Sequence, residues 1–211
     1  MEESTGISNH QKGKEMRHYS HRKWYKITTW ITGIICFVSI VYAIHTRSEF
    51  GQRSRDVKLT MYLVGEFKNE HMPVNAVSIY RIIRSGKSIV KKYFPNHEFS
   101  LNDVLAIGYV ESCYDPECVG KAGEVGLFQI LRPGESLKRL KMNKEYDFFD
   151  VPLNVEMCVE MLKQKYESNG RKDYQATIIA YNGSSTYWPK FIKIKKIVDR
   201  ASHRLNYEME L

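Results

Sequence analysis

Residues 27–44 read "ITTWITGIICFVSIVYAI", eighteen consecutive positions without a charge, and this run restricts the fold more than any other. Wound as an α-helix at about 1.5 Å per residue it is roughly 27 Å long, close to the thickness of a bilayer core. A helix inside a soluble domain usually keeps a polar stripe, and this one has none. Trp30 and Tyr42 stand near its ends, where amphipathic rings favour the membrane interface. The run is expected to be a single transmembrane signal-anchor. Lys12, Lys14, Arg17, Arg22, Lys23 and Lys26 precede it, against Arg47, Arg53, Arg55 and Lys58 after it. That bias puts the basic segment 1–26 in the cytoplasm and everything after residue 44 outside. A cleaved signal peptide is the alternative, since Val41-Tyr42-Ala43 resembles a small-residue cleavage pattern, but the basic lead is long for one.

The remainder suffices for one domain. Residues 45–71 are polar, mixed in charge and interrupted by Gly51 and Gly65, and are expected as a linker or lead-in segment; 72–211 is expected as the folded domain. A chain of about 150 residues buries roughly two thirds of its unfolded surface, enough for an ordinary core. Of the net charge of +8, +5 lies in residues 1–58, which hold ten Lys/Arg and five Asp/Glu. Charge of this size does not by itself choose between nucleic acid, anionic lipid and anionic polymer. An extramembrane position argues against nucleic acid, and "KFIKIKKIVDR" (190–200) reads as a solvated helix face. Cys113, Cys118 and Cys158 allow one disulfide in an oxidising compartment, or three reduced thiols. No second Cys or His pair has zinc spacing, so neither metal nor cofactor is expected.

The domain reads as mainly α. From 74 to 94, Ile79, Ile82, Ile83, Val90 and Tyr93 recur at helical period up to Pro95. "SLND" (100–103) resembles a capping box, Ser100 with Asp103, opening a helix through about Cys113 that Asp115-Pro116 stops. Further helical patterns cover about 134–141, 152–167, 173–181 and 187–205, while strand signals are sparse.

The stretch "YVESCYDPECVGKAGEVGLFQI" (109–130) puts Glu111 at the end of an apolar helix and follows it with Gly120, Gly123 and Gly126. A poorly hydrated carboxyl has a raised pKa, which a general acid near neutrality requires. Glycines let backbone N–H groups approach a ligand closely. Gln129 lies eighteen residues on, and "AYNGS" (180–184) ends a helix at a turn that would present Tyr181 and Asn182 to a cleft.

These residues resemble the catalytic domain of the soluble lytic transglycosylases, a lysozyme-like helical fold that cleaves bacterial peptidoglycan. Glu111, Ser112, Tyr114, Pro116, Gly123, Gly126, Leu127, Gln129, Ile130 and Pro133 stand in register with that family's first signature. "DVPLNVE" echoes the second through Asn154, and Ala180-Tyr181-Asn182 is the third. Gly120 replaces a serine that helps orient substrate or acid, Glu124 an alanine, Phe128 a methionine and Asp115 an asparagine; Cys158 falls where glycine is common.

The resemblance implies a one-carboxylate route in which Glu111 is acid and then base, leaving a 1,6-anhydro-N-acetylmuramic acid end. It also implies that Ser112, Gln129, Tyr181 and Asn182 hold the glycan. Glu124 is read first as a binding or structural acid, with a second catalytic carboxylate as the alternative. Two rivals follow: a hydrolytic muramidase like the goose-type lysozymes, and a non-catalytic, membrane-tethered peptidoglycan-binding module. Wall turnover, a phage apparatus, and a secretion or conjugation apparatus all fit a small anchored enzyme.

Overall fold

The computed structural model describes residues 9–131, 148–168 and 173–210, with side-chain surroundings from residue 34 to 209. The expected helix at 134–141 lies outside these residues. The chain divides into two compact units, Met1–Gln52 and Arg53–Leu211.

The described residues of the first unit belong to α1, Asn9–Asn69. From residue 34 onward its apolar side chains, including Ile34, Ile35, Phe37, Val38, Ile40, Val41, Tyr42 and Ile44, are exposed. Ser39 and Thr46 turn their hydroxyls back onto the carbonyls of Ile35 and Tyr42, four residues earlier, at 2.9 and 3.0 Å. Among the described residues no helix is long and apolar enough to cross a membrane; positions 27–33 of the expected span have side chains outside them.

The segment 45–71, expected as linker or lead-in, is helical to Asn69. Leu59, Leu63 and Phe67, four apart on one face, are all buried in the core of the second unit. Gly51 and Gly65 do not break the helix. Each costs about 1 kcal/mol there, less than the roughly 1.5–3 kcal/mol from burying each large apolar side chain.

Helix α2, Ala76–Tyr93, starts where Asn75 Oδ1 accepts the N–H groups of Val77 and Ser78, both at 3.1 Å. Its buried stripe of Ile79, Ile82, Ile83 and Val90 packs on α4, Val151–Ser168. Helix α3, Leu101–Ser112, is buried from Asp103 to Tyr109 and packs on α6, Tyr187–Glu210. The Asp103 carboxylate accepts from the Ser100 N–H at 2.6 Å and from the Ser100 hydroxyl at 2.8 Å. It also accepts from the hydroxyl of Tyr174 on α5 (Tyr174–Asn182) at 2.5 Å and lies 3.6 Å from Lys195 of α6. One buried acid thus caps α3 and ties its start to α5 and α6. Between α3 and α4, Glu124–Val125 (β1) and Ile130–Leu131 (β2) pair antiparallel, Glu124 opposite Leu131.

Candidate active site

Sequence places Glu111 in the last turn of α3; the turn that follows decides where it points. Cys113 and Tyr114 both adopt left-handed backbone, φ 54° and 66°, which costs about 1–2 kcal/mol for a residue with a Cβ. Their N–H groups close onto the carbonyls of Tyr109 at 2.8 Å and Gly108 at 3.4 Å. The fully buried Tyr114 ring offsets the strain by packing edge-on against Phe67 and Tyr109. The helix therefore stops at Ser112, before the Asp115-Pro116 pair expected to stop it, and no further turn covers Glu111.

The glycine-bearing segment is bolted against this helix end. Ser112 Oγ reaches the carbonyls of Leu127 at 2.9 Å and Gly108 at 3.2 Å. Buried Asn154, on α4, accepts the Phe128 N–H and donates to the Phe148 carbonyl, both at 2.9 Å. Gly126 (φ 77°) fits beneath: a Cβ there would stand 2.7 Å from the Phe148 carbonyl oxygen and 2.9 Å from Asn154 Nδ2. Gln129 is left-handed, φ 46°, and its Nε2 donates to Cys118 O at 3.1 Å and Gly126 O at 3.0 Å. Both amide protons are then committed, and Oε1 faces Gly120.

Between helix end, loop, α4 and α5 lies a cavity of about 300 Å³ lined by Glu111, Gly120, Glu124, Gln129, Met161, Tyr181 and Asn182, with Lys121 and Leu131. Glu111 Oε1 is buried without a hydrogen-bond partner. Burial pushes its carboxyl above the ordinary glutamate value; the neighbouring Tyr187 hydroxyl and Asn182 amide oppose this, and the Glu124 charge pushes further upward. The Tyr187 hydroxyl is itself buried and unpartnered, so it lies close to Glu111 without completing a hydrogen bond of normal geometry. Burial raises the titration of Tyr187, Tyr181 and Cys158 far enough that all three stay protonated near neutrality.

Glu111, Glu124, Gln129, Tyr181 and Asn182 thus meet around one cavity. Ser112 is not part of its lining: the hydroxyl expected to bind glycan is engaged with main chain. Tyr181, expected to hold the glycan, directs its hydroxyl to the Phe128 carbonyl at 3.0 Å. Asn182 is exposed at the end of α5, where Gly183 closes the helix at φ 82°. Sequence reasoning missed Tyr187, which belongs to no motif and reaches Glu111 only through the packing of α6 on α3. Met161 of α4 also lines the cavity, and no motif singles it out. Cys113, Cys118 and Cys158 are all free.

Residues 88–200, more than half of the chain, match the family model of the transglycosylase SLT domain. No curated protein and no solved structure matches the chain.

Proposed function

The chain belongs to the transglycosylase SLT domain family, a family of glycosidic-bond-cleaving enzymes acting on peptidoglycan, and from that premise we propose a lytic transglycosylase with Glu111 as its single acid and base. The observation that carries the proposal is the Glu111 carboxyl, half-buried on the cavity wall with one oxygen unpartnered and its pKa raised by burial. Such a group holds a proton at pH values where an ordinary glutamate has lost it.

Protonated Glu111 gives its proton to the glycosidic oxygen between N-acetylmuramic acid and N-acetylglucosamine, and the bond from that oxygen to the muramic acid anomeric carbon breaks. The substrate's own N-acetyl oxygen stabilises the cationic sugar. Glu111, now ionised, takes the proton of the C6 hydroxyl, whose oxygen closes on the anomeric carbon. Acid and product are left as protonated Glu111 and a 1,6-anhydro end, with no water consumed. The tethered nucleophile gains from high effective molarity. Tyr187, held protonated beside Glu111, steadies the carboxylate formed midway.

Digestion of purified sacculi followed by mass spectrometry tests this. Muropeptides lighter by one water than the hydrolytic product are expected, and none from Glu111→Gln. A hydrolytic muramidase is the second reading, favoured by Glu124 on the same cavity wall, and it gives the heavier product.

Residues 27–44 are proposed to anchor the enzyme in the inner membrane with the second unit outside. Support comes from the exposed apolar side chains from Ile34 to Ile44 and from the hydroxyls of Ser39 and Thr46, which satisfy themselves on their own helix, as lipid requires. Carbonate extraction of membranes tests the anchor: release of the intact chain into the supernatant would count against it.

A further inference from the structure

Gly120 and Glu124 both depart from the resembling family's pattern, and in space they are one feature. A Cβ built on Gly120 would stand 2.3 Å from Glu124 Oε2 and 2.6 Å from Gln129 Oε1. The Gly120 backbone is not left-handed, so a side chain there meets no torsional strain, only the side-chain ends that occupy its space. Glu124 reaches this position because its Oε2 accepts the Ala122 N–H at 3.0 Å, while the Gly120 N–H donates to the Glu124 carbonyl at 2.7 Å. The carboxylate is folded back across the loop and fills the volume that a side chain at 120 would take.

The chemistry presented there is one-sided. Gln129 has spent both amide protons on Cys118 and Gly126 and offers only Oε1; Glu124 offers only carboxylate oxygens. This wall therefore calls for hydrogen-bond donors from whatever binds it.

We propose that Glu124 is a positioning residue that stands in for a side chain at 120, accepting a hydrogen bond from a hydroxyl or amide N–H of the bound glycan and aligning it on Glu111. The inference rests on reading the cavity as the glycan site. Glu124 has a second effect, through charge. Around Glu111 stand Tyr187 from α6, Cys158 from α4, Tyr181 from α5, and Lys121 and Glu124 from the loop and β1. Glu124 is the carboxylate among them, and it favours the protonated acid.

The test uses the full chain in detergent with Gly120→Ser, Glu124→Ala, the double variant and Glu124→Gln. Binding of a soluble peptidoglycan tetrasaccharide is measured by calorimetry in a Glu111→Gln background, where nothing turns over. The atoms that a serine at 120 would meet are ends of flexible side chains, so Gly120→Ser displaces Glu124 while the fold survives. Each single change is expected to weaken binding about tenfold or more, the usual effect of losing a hydrogen bond to a charged group. The double variant is expected to recover most of that loss. With Glu111 restored, Glu124→Gln moves the alkaline limb of turnover on sacculi to lower pH, a response that a merely structural residue would not give.

Unchanged tetrasaccharide binding in Glu124→Ala, a double variant no better than the product of the singles, or an unmoved alkaline limb each overturns the inference. Failure of the catalytic reading looks different: sacculi yield no anhydro product, or Glu111→Gln still turns over, while the binding series keeps its pattern.

Discussion

The Tyr181 hydroxyl donates a 3.0 Å hydrogen bond to the Phe128 carbonyl, joining the last turn of α5 to the residue just before Gln129. Tyr181→Phe leaves that buried carbonyl without its donor, at a cost of about 1–3 kcal/mol. Thermal unfolding is expected to shift down by several degrees, and kcat on sacculi to fall more than KM rises. An unshifted melting curve would show that the bond holds nothing in place.

Glu111→Gln is expected to abolish turnover without changing the helical circular dichroism signal. The pH dependence has a definite sign. Burial raises the folded-state pKa of Glu111 above its unfolded value, so its protonated form is favoured by folding. The stability it contributes is complete below the unfolded pKa and is lost as pH rises through the folded one. Near neutrality the glutamine variant should be at least as stable as the parent, with the difference vanishing in acid. Wild-type activity falls as pH rises through the same raised value. A parent more stable than the variant at neutral pH would mean that the acid is well solvated.

Phe67→Ala tests whether the segment after the expected span belongs to the domain. The ring is fully buried and stacks on Tyr109 with centroids 4.5 Å apart, so truncation should cost about 3–5 kcal/mol. Met61 on the same helix is exposed, and Met61→Ala should stay within about 0.5 kcal/mol. Equal urea midpoints for the two variants would restore the linker reading.

Gly126→Ala combines a left-handed backbone with a Cβ 2.7 Å from a carbonyl oxygen of the main chain. Loss of about 2 kcal/mol or more is expected, measured by denaturant unfolding, together with loss of sacculus digestion because Gln129 is displaced. Gly123→Ala is the control: the backbone is also left-handed, φ 90°, but the space is open, so the cost should be smaller.

Among the described residues, helices were legible where an apolar period or a cap announced them. The stripe from Ile79 to Val90 and the Ser100–Asp103 cap lie where the pattern puts them. The segment 45–71 misled because its three apolar core residues, Leu59, Leu63 and Phe67, are diluted among charged residues, and only the packed structure separates exposed ones such as Arg55 and Lys58 from the buried Asp56. Motif order singled out Glu111, Gln129, Tyr181 and Asn182, which line one cavity together with Glu124, a departure from the motif. Ser112 lies outside that lining, because a hydroxyl beside an acid looks the same in sequence whether it faces a sugar or a carbonyl. Tyr187 was invisible for another reason: its role depends on the angle at which α6 crosses α3, and no local pattern encodes that.

Gln129 carries a left-handed backbone that an L-residue resists, and its own amide clasps the two carbonyls of the loop that imposes it. Distortion and remedy are housed in the same side chain. Glycine here would relieve the torsion and lose the clasp; asparagine would tolerate the torsion and fall one methylene short. Rigidity of the loop and chemistry of the wall are therefore inherited together, and no exchange at this position alters one without the other.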